Sequence, residues 1–339
     1  MAADQPSQVT PQLRERAIGM VREVLNHEHL WVKVHAAEYL LWLDYPDGIQ
    51  EAFTQELKRH GSEPQYRIGI WRVLGRAANN DADRAEWFGK IRDVLLSPHP
   101  PDRPHAAETL AKLRYKLRAD EVARVEQIAA KSEGEQMISY LVCLLTLADQ
   151  PGAEARLINL LESPNDQIRL SAAYAIRHLP TIFPVAKEKL QAAARMEPRD
   201  SPARVYLIGA VAVHSHPNVA PAIKAELADF AVKGAEDDKV EACQVLAQIA
   251  DNADLPLLTQ LLDNPNPDLR STAGYAILRI GRRVPHHLAV WDWAVIAAYA
   301  LGMLSVGWYY SRRNKTGEDY LLGGRQMRPI MVGVSCSPR

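Results

Sequence analysis

The sequence predicts an all-α chain: a solenoid of about eight helical hairpins over residues 11–283, then one transmembrane helix over 292–311 and the truncated start of a second. Two observations carry this. A pattern of polar turn, basic residue, small pair and apolar run returns with a period near 34 residues, and an uncharged stretch later runs from Trp293 to Tyr310. Composition leans the same way, because Ala and Leu dominate and aromatic residues make up only 7%.

Residues 1–20 hold no continuous apolar run and do not read as a signal peptide, and residues 1–10 are expected to be disordered. The repeats begin after them. Four segments align without gaps, starting at Leu25, Leu95, Leu161 and Leu262, and their basic residues are Lys33, Arg103, Arg169 and Arg270. Arg67, Arg204 and Lys239 fall at intervening places, and a further place near Met137 keeps the apolar run but lacks the basic residue. The steps along that series are 34, 36, 34, 32, 35, 35 and 31 residues. Within one unit, Ile168, Ala172, Ala175, Ile176 and Leu179 recur at three- and four-residue steps, the spacing of one helical face. Asn165 or Asp166 is placed to cap that helix, and Pro164 and Pro265 occupy turns where a missing N–H costs least. Alanine pairs at 36–37, 106–107 and 172–173 allow close helix approach. A single hairpin cannot bury its apolar face, so the units must stack.

This register, with its turn, basic residue and small pair, resembles the HEAT repeat or its short bacterial form over residues 11–283. The resemblance implies that the basic residues Lys33, Arg67, Arg103, Arg169, Arg204, Lys239 and Arg270 form a structural ladder, each paired with an acid of a neighbouring unit. The alternative is a basic groove for phosphate or nucleic acid. A net charge of −1 and the lack of interleaved aromatic residues argue against a nucleic-acid partner.

Little else in the chain promises chemistry. His27 with His29 and His214 with His216 form H-x-H pairs, and His286 adjoins His287, but no carboxylate or thiol at zinc spacing accompanies them. Cys143 and Cys243 sit inside apolar runs, where a thiol behaves as a small hydrophobe, and Cys336 stands alone near the end. Phosphate-binding loops, dinucleotide fingerprints and nucleophile elbows are missing. The expectation is no catalytic, cofactor or metal site, and hence no enzyme.

After a linker at 284–291, the run from Trp293 to Tyr310 has 18 residues without a charge, flanked by Trp291 and Trp293 at one end and Trp308, Tyr309 and Tyr310 at the other. Such a run matches a bilayer span with two aromatic belts, which places lipid among the partners and the chain in a membrane. Arg312, Arg313 and Lys315 beyond it, against Arg279, Arg282 and Arg283 before it, lean the C-terminal loop at 312–339 toward the cytoplasm and the solenoid outward, toward a periplasm. Ala294, Ala298, Gly302 and Ser305 form a small-residue stripe suited to packing against other membrane helices absent from this sequence.

Beyond the span, Glu318, Asp319, Tyr320, Leu321, Gly324, Arg325, Met327, Pro329, Gly333 and Ser335 resemble the N-terminal signature of the sodium:solute symporter family. That resemblance covers about 45 residues and implies a bacterial inner-membrane transporter whose later helices would bind sodium and solute. Those segments do not follow here, so the resemblance implies a truncated, transport-incompetent fragment without sodium ligands of its own. The other reading is a membrane-anchored scaffold whose concave face binds a protein partner.

Overall fold

The computed structural model describes residues 8–98, 100–282 and 290–313. Among them every regular element is helical, with seventeen α-helices and two short 3-10 turns. The chain divides into two units, one spanning Gln5–Val284 and the other holding Pro285–Arg339.

The first unit is a succession of eight hairpins. In chain order they pair α1 (Pro11–His27) with α2 (Leu30–Trp42), α3 (Ile49–His60) with α4 (Pro64–Ala77), and α5 (Asp81–Leu96) with α6 (Arg103–Lys112). Next come α7 (Ala119–Lys131) with α8 (Ile138–Leu147), and α9 (Ala153–Asn159) with α10 (Asp166–His178). The last three are α11 (Pro184–Met196) with α12 (Arg204–Ser215), α13 (Pro221–Lys233) with α14 (Glu236–Ile249), and α15 (Leu255–Leu261) with α16 (Pro267–Arg282).

Local chemistry sets the boundaries. Thr10 caps α1 by accepting from the Leu13 amide at 3.2 Å, and Asn80 caps α5 by accepting from Asp83 at 2.8 Å. Of the two residues placed to cap α10, Asn165 does so, accepting from Gln167 at 2.9 Å. Asn266 accepts from the amides of Asp268 and Leu269, closing the same turn before α16. Proline occupies the first turn of α1, α4, α6, α11 and α13, where its missing donor is no loss. The turns into α3 and α9 share one device: Gly48 and Gly152 each sit at φ +76°, a left-handed conformation open to glycine.

Stacking alone does not say whether such a series ends open or closed. Here it closes. Each even-numbered helix packs on the next, and α16 packs on both α1 and α2, so the last hairpin is covered by the first. One apolar cluster runs from α4 to α12, while another joins α1–α4 to α12–α16 across the junction. At this seam Tyr39 and Tyr275 stack with centroids 4.6 Å apart. The Tyr39 hydroxyl lies 2.9 Å from Thr272 Oγ1, and His35 Nδ1 lies 2.9 Å from Asp268 Oδ2. Gly274 permits the approach, since a Cβ there would stand 3.0 Å from Val21 Cγ2 and 3.1 Å from the Ala17 carbonyl oxygen. Ala17 and Val21 are fully buried. Closure replaces the polar capping units that an open array needs, because the two end faces bury each other.

Two features differ from the sequence reading. The disorder expected over residues 1–10 does not extend through 8–10: the Gln8 amide donates to Asn252 Oδ1 at 3.1 Å, Val9 packs beside Gly281, and Thr10 caps α1. Apolar packing and backbone bonds tie this short strip to the last hairpin. Secondly, α17 (Val290–Arg313) is a continuous helix of 24 residues in the second unit, yet among the described residues no helix is long and apolar enough to cross a membrane. The physical reason lies in its composition, since Trp, Tyr, Ser and Gly dilute the aliphatic residues between Trp293 and Tyr310.

Candidate functional site

The even-numbered helices carry the ladder residues near their N-termini. Lys33 Nζ reaches Glu56 at 3.0 Å and Arg67 Nε reaches Asp102 at 2.7 Å, each acid belonging to the next hairpin. Arg169 grips Glu197 through two bonds of 2.9 and 2.7 Å, and Arg204 grips Glu226 through two of 2.8 and 2.7 Å. Arg270 approaches Glu23 at 3.4 Å, carrying the pattern across the seam to the first hairpin. Arg103 differs, donating to the carbonyl oxygens of Leu95 and Ser97, and Lys239 pairs with Glu236 of its own helix. These groups are occupied within the repeat framework, and they leave the site to a different set of residues.

That set lies further along the same helices. The residue nine positions after a ladder residue is Trp42 on α2, Arg76 on α4, Lys112 on α6, His178 on α10, Gln248 on α14 and Arg279 on α16. All six line one cavity of about 580 Å³ at the centre of the circuit, with His35, Glu38, Tyr39, Tyr174, Arg177, Gln244, Tyr275 and Arg282 among its other walls. The helical step explains the convergence: on α2, His35, Glu38, Tyr39 and Trp42 share one face, as do Tyr275, Arg279 and Arg282 on α16. Six of the eight hairpins turn that face inward, so residues scattered over 248 positions, from His35 to Arg282, meet in one place.

Charge is unevenly balanced there. Glu38 accepts from Arg72 at 2.8 Å and faces Arg76 Nε at 3.1 Å, an ion-pair contact lacking hydrogen-bond alignment. Arg177 pairs closely with Glu241, and Lys112 with Glu108 at 2.6 Å. Of these three acids, Glu38 is the one shared by two guanidinium groups. Among the described residues, neither Arg279 nor Arg282 has a carboxylate within ion-pair distance; Arg279 donates to the Tyr275 hydroxyl at 3.4 Å and Arg282 to the Leu43 carbonyl. Cations outnumber carboxylates on the walls, five (Arg76, Lys112, Arg177, Arg279, Arg282) to one (Glu38).

Protonation states follow from burial and these neighbours. Burial pushes Glu38 up, but Arg72 and Arg76 outweigh it and hold the carboxyl below its ordinary value. Burial likewise opposes Lys112, yet Glu108 raises its ammonium to about 12. Glu241 goes the other way: its burial dominates over Arg177 and lifts the carboxyl. His178 is pushed well below the ordinary imidazole value, first by burial and then by Arg177 and Lys112, so its ring is neutral near pH 7.

Several donors in this group lack an acceptor. Arg72 Nε, Arg177 Nε and His178 Nε2 are buried without a hydrogen-bond partner, and Arg76 Nε has only its ion-pair contact with Glu38. Buried polar atoms are ordinarily satisfied, and these stand beside the cavity, while Arg22 Nε, Asp102 Oδ1, His105 Nδ1 and Arg270 Nε share the condition away from it. Aromatic rings alternate with the cations. Arg76 lies 5.1 Å over Trp42, Lys112 lies 5.0 Å and Arg177 4.8 Å from the Tyr174 ring. Chemically the cavity offers positive charge, N–H donors and flat apolar surface.

The other residues singled out in the sequence lie apart. Cys143 and Cys243 are fully buried, and burial raises the Cys143 thiol to about 12 and Cys243 higher. His214 Nε2 meets the Ile176 carbonyl oxygen at 2.8 Å. Among the described residues no cluster of three His, Cys, Asp or Glu could hold a metal ion. Ala294, Ala298, Gly302 and Ser305 lie on exposed positions of α17, with Ser305 Oγ donating to the Leu301 carbonyl at 2.7 Å. The symporter-like residues Glu318, Asp319, Tyr320, Gly324, Arg325, Met327, Gly333 and Ser335 lie outside the described residues, as do His286, His287 and Cys336.

Reading the repeats for their basic residues alone missed the cavity. The signal was present, however: aligned on the ladder, the ninth following position is aromatic, basic, His or Gln in six units of a series otherwise rich in Ala, Leu and Ile. No family model matches the chain, and none of the curated proteins is similar to it.

Proposed function

We propose that residues 11–282 are a binding module whose ligand is a small anion held at the centre of the closed helical circuit. The observation that carries this is the convergence of five cations, against a single carboxylate, on one cavity. Closure favours a small ligand over a protein partner, because it turns the concave faces of the repeats toward one another. Trp42 lines the cavity and is 45% exposed, so its emission is a natural reporter. Titrating the purified full chain with small carboxylates, phosphates and amines should quench that emission with anions and leave it unchanged with amines. Absence of any response to millimolar anions, with Trp42→Phe as the signal control, would remove the reading.

A second proposal concerns α17. It is read as a lipid-embedded tether that attaches this module to the start of a sodium:solute symporter-like chain, in a bacterial inner membrane, with the module outside. Support comes from the uncharged stretch between Trp293 and Tyr310 and from the exposure of Val295, Leu301 and Leu304 along the helix. Its 24 residues extend about 36 Å at 1.5 Å each, enough for a hydrocarbon core of about 30 Å, although its apolarity is diluted by aromatic residues. Alkaline extraction of membranes from expressing cells decides it: a chain released into the aqueous fraction is not embedded.

A further inference from the structure

The arrangement of charge within the cavity narrows the ligand further. Building on the binding-module reading, we infer that the ligand is an organic dianion, with two acidic groups carried on a flat unsaturated or aromatic body.

The cations fall into two groups separated around the circuit. Arg279 and Arg282 stand on α16, beside α2, whereas Lys112 and Arg177 stand on α6 and α10, which pack on each other further round the ring; Arg76 on α4 lies between, since α4 packs on both α2 and α6. Each group has its own aromatic face. Trp42 and Tyr275 lie together at the first, with centroids 5.5 Å apart, and Tyr174 lies at the second beneath both Lys112 and Arg177. The first group has guanidinium groups free of carboxylates, Arg279 and Arg282, suited to fork-like contact with a carboxylate or phosphate. At the second, Arg177 and Lys112 line the cavity while paired with Glu241 and Glu108, and Arg177 Nε and His178 Nε2 are buried nitrogens without a hydrogen-bond partner. Arg177 is 3% exposed, so its unpartnered Nε is a group that solvent does not serve.

One compact anion would satisfy only one group. Two acidic groups joined by a plane of carbons satisfy both, and the plane occupies the space between the Trp42–Tyr275 wall and the Tyr174 wall. Stacking on the ring surface that the cations leave open favours flat bodies over flexible chains. A neutral or cationic ligand would leave the surplus positive charge uncompensated in a partly dry site, which is costly.

Four probes separate the parts of this inference: terephthalate (two carboxylates on a ring), benzoate (one on a ring), adipate (two on a flexible chain) and benzyl alcohol (a ring without charge). Binding to the full chain is measured by isothermal titration calorimetry. Terephthalate is expected to bind at least about tenfold more tightly than benzoate or adipate, a gap of about 1.4 kcal/mol, and benzyl alcohol not at all. The double variant Arg279→Gln, Arg282→Gln should bind terephthalate no more tightly than the unaltered chain binds benzoate, with an unchanged far-ultraviolet dichroism spectrum as the check on folding. Lys112→Gln, affecting the second group, should give a similar loss by itself. Equal affinity for benzoate and terephthalate, or binding of benzyl alcohol at the same strength, overturns the dianion while leaving a ligand-binding ring intact. Failure of all four probes to bind overturns both.

Discussion

Replacing Glu38 by Gln is the sharpest test of how the centre of the ring is held. The carboxylate is 4% exposed and is the shared partner of Arg72, itself 3% exposed, and of Arg76. Removing its charge leaves two guanidinium groups in the interior with no acid between them, although Arg72 keeps a 3.2 Å bond to Thr109. Breaking a buried pair from one side costs about 3–5 kcal/mol, because the remaining charge is stranded. At about 2 °C per kcal/mol for a large domain, the midpoint should fall by about 6–10 °C. Thermal and urea unfolding of the full chain, followed by circular dichroism, measure it. Adding Arg72→Gln to the same chain should cost less than a second independent loss, with a coupling of about 1 kcal/mol or more. A midpoint shift under about 2 °C, or strict additivity, would show that the interior is wet enough to screen these charges and that the electrostatic reading of the cavity is mistaken.

Other outcomes follow from the same structure. Asp268→Asn removes the charge that holds His35 across the seam, so amide exchange should quicken in α1 and α16 by about tenfold while α8 stays unchanged; uniform exchange changes would speak against a seam that opens locally. Gly209→Ala places a Cβ 2.7 Å from Val245 Cγ2, an overpacking cost of about 1–3 kcal/mol, and Val245→Ala in the same chain should restore most of it. His178 gives a pH dependence with a definite sign. Its folded pKa is lowered, so below about 6.5 the unfolded chain binds the extra proton and stability falls with falling pH. Urea unfolding at about pH 7.5 and 5.5 should show that loss, and His178→Gln should reduce it, leaving the smaller part that His214, also lowered by burial, contributes with the same sign. At lower pH Glu38 adds to the loss as its lowered carboxyl protonates, whereas Glu241, with a raised value, acts in the opposite sense.

Much of the fold is legible in the chain because its causes are local. The period near 34 residues, the cap at Asn165, the prolines opening α4 and α11, and the buried alanine pairs at 36–37 and 172–173 depend on neighbours within about one turn of helix. The ladder positions could be placed from spacing alone, yet not their partners: Arg103 takes backbone carbonyls and Lys239 its own helix, choices set by whichever acid the next hairpin happens to present.

The central cavity was hidden for a related reason. A charged residue such as Arg76 or Lys112 on an amphipathic helix has the pattern of a solvated face, and sequence cannot distinguish water from the middle of a ring. Closure makes that distinction. The sequence by itself determined helices, hairpins and their repeat, since each rests on contacts a few residues apart. Only the tertiary structure decided that α16 would meet α1, because the meeting depends on small rotations accumulated over eight hairpins. From that single long-range contact come the seam, the burial of Glu38 and Arg72, and the cationic chamber they surround.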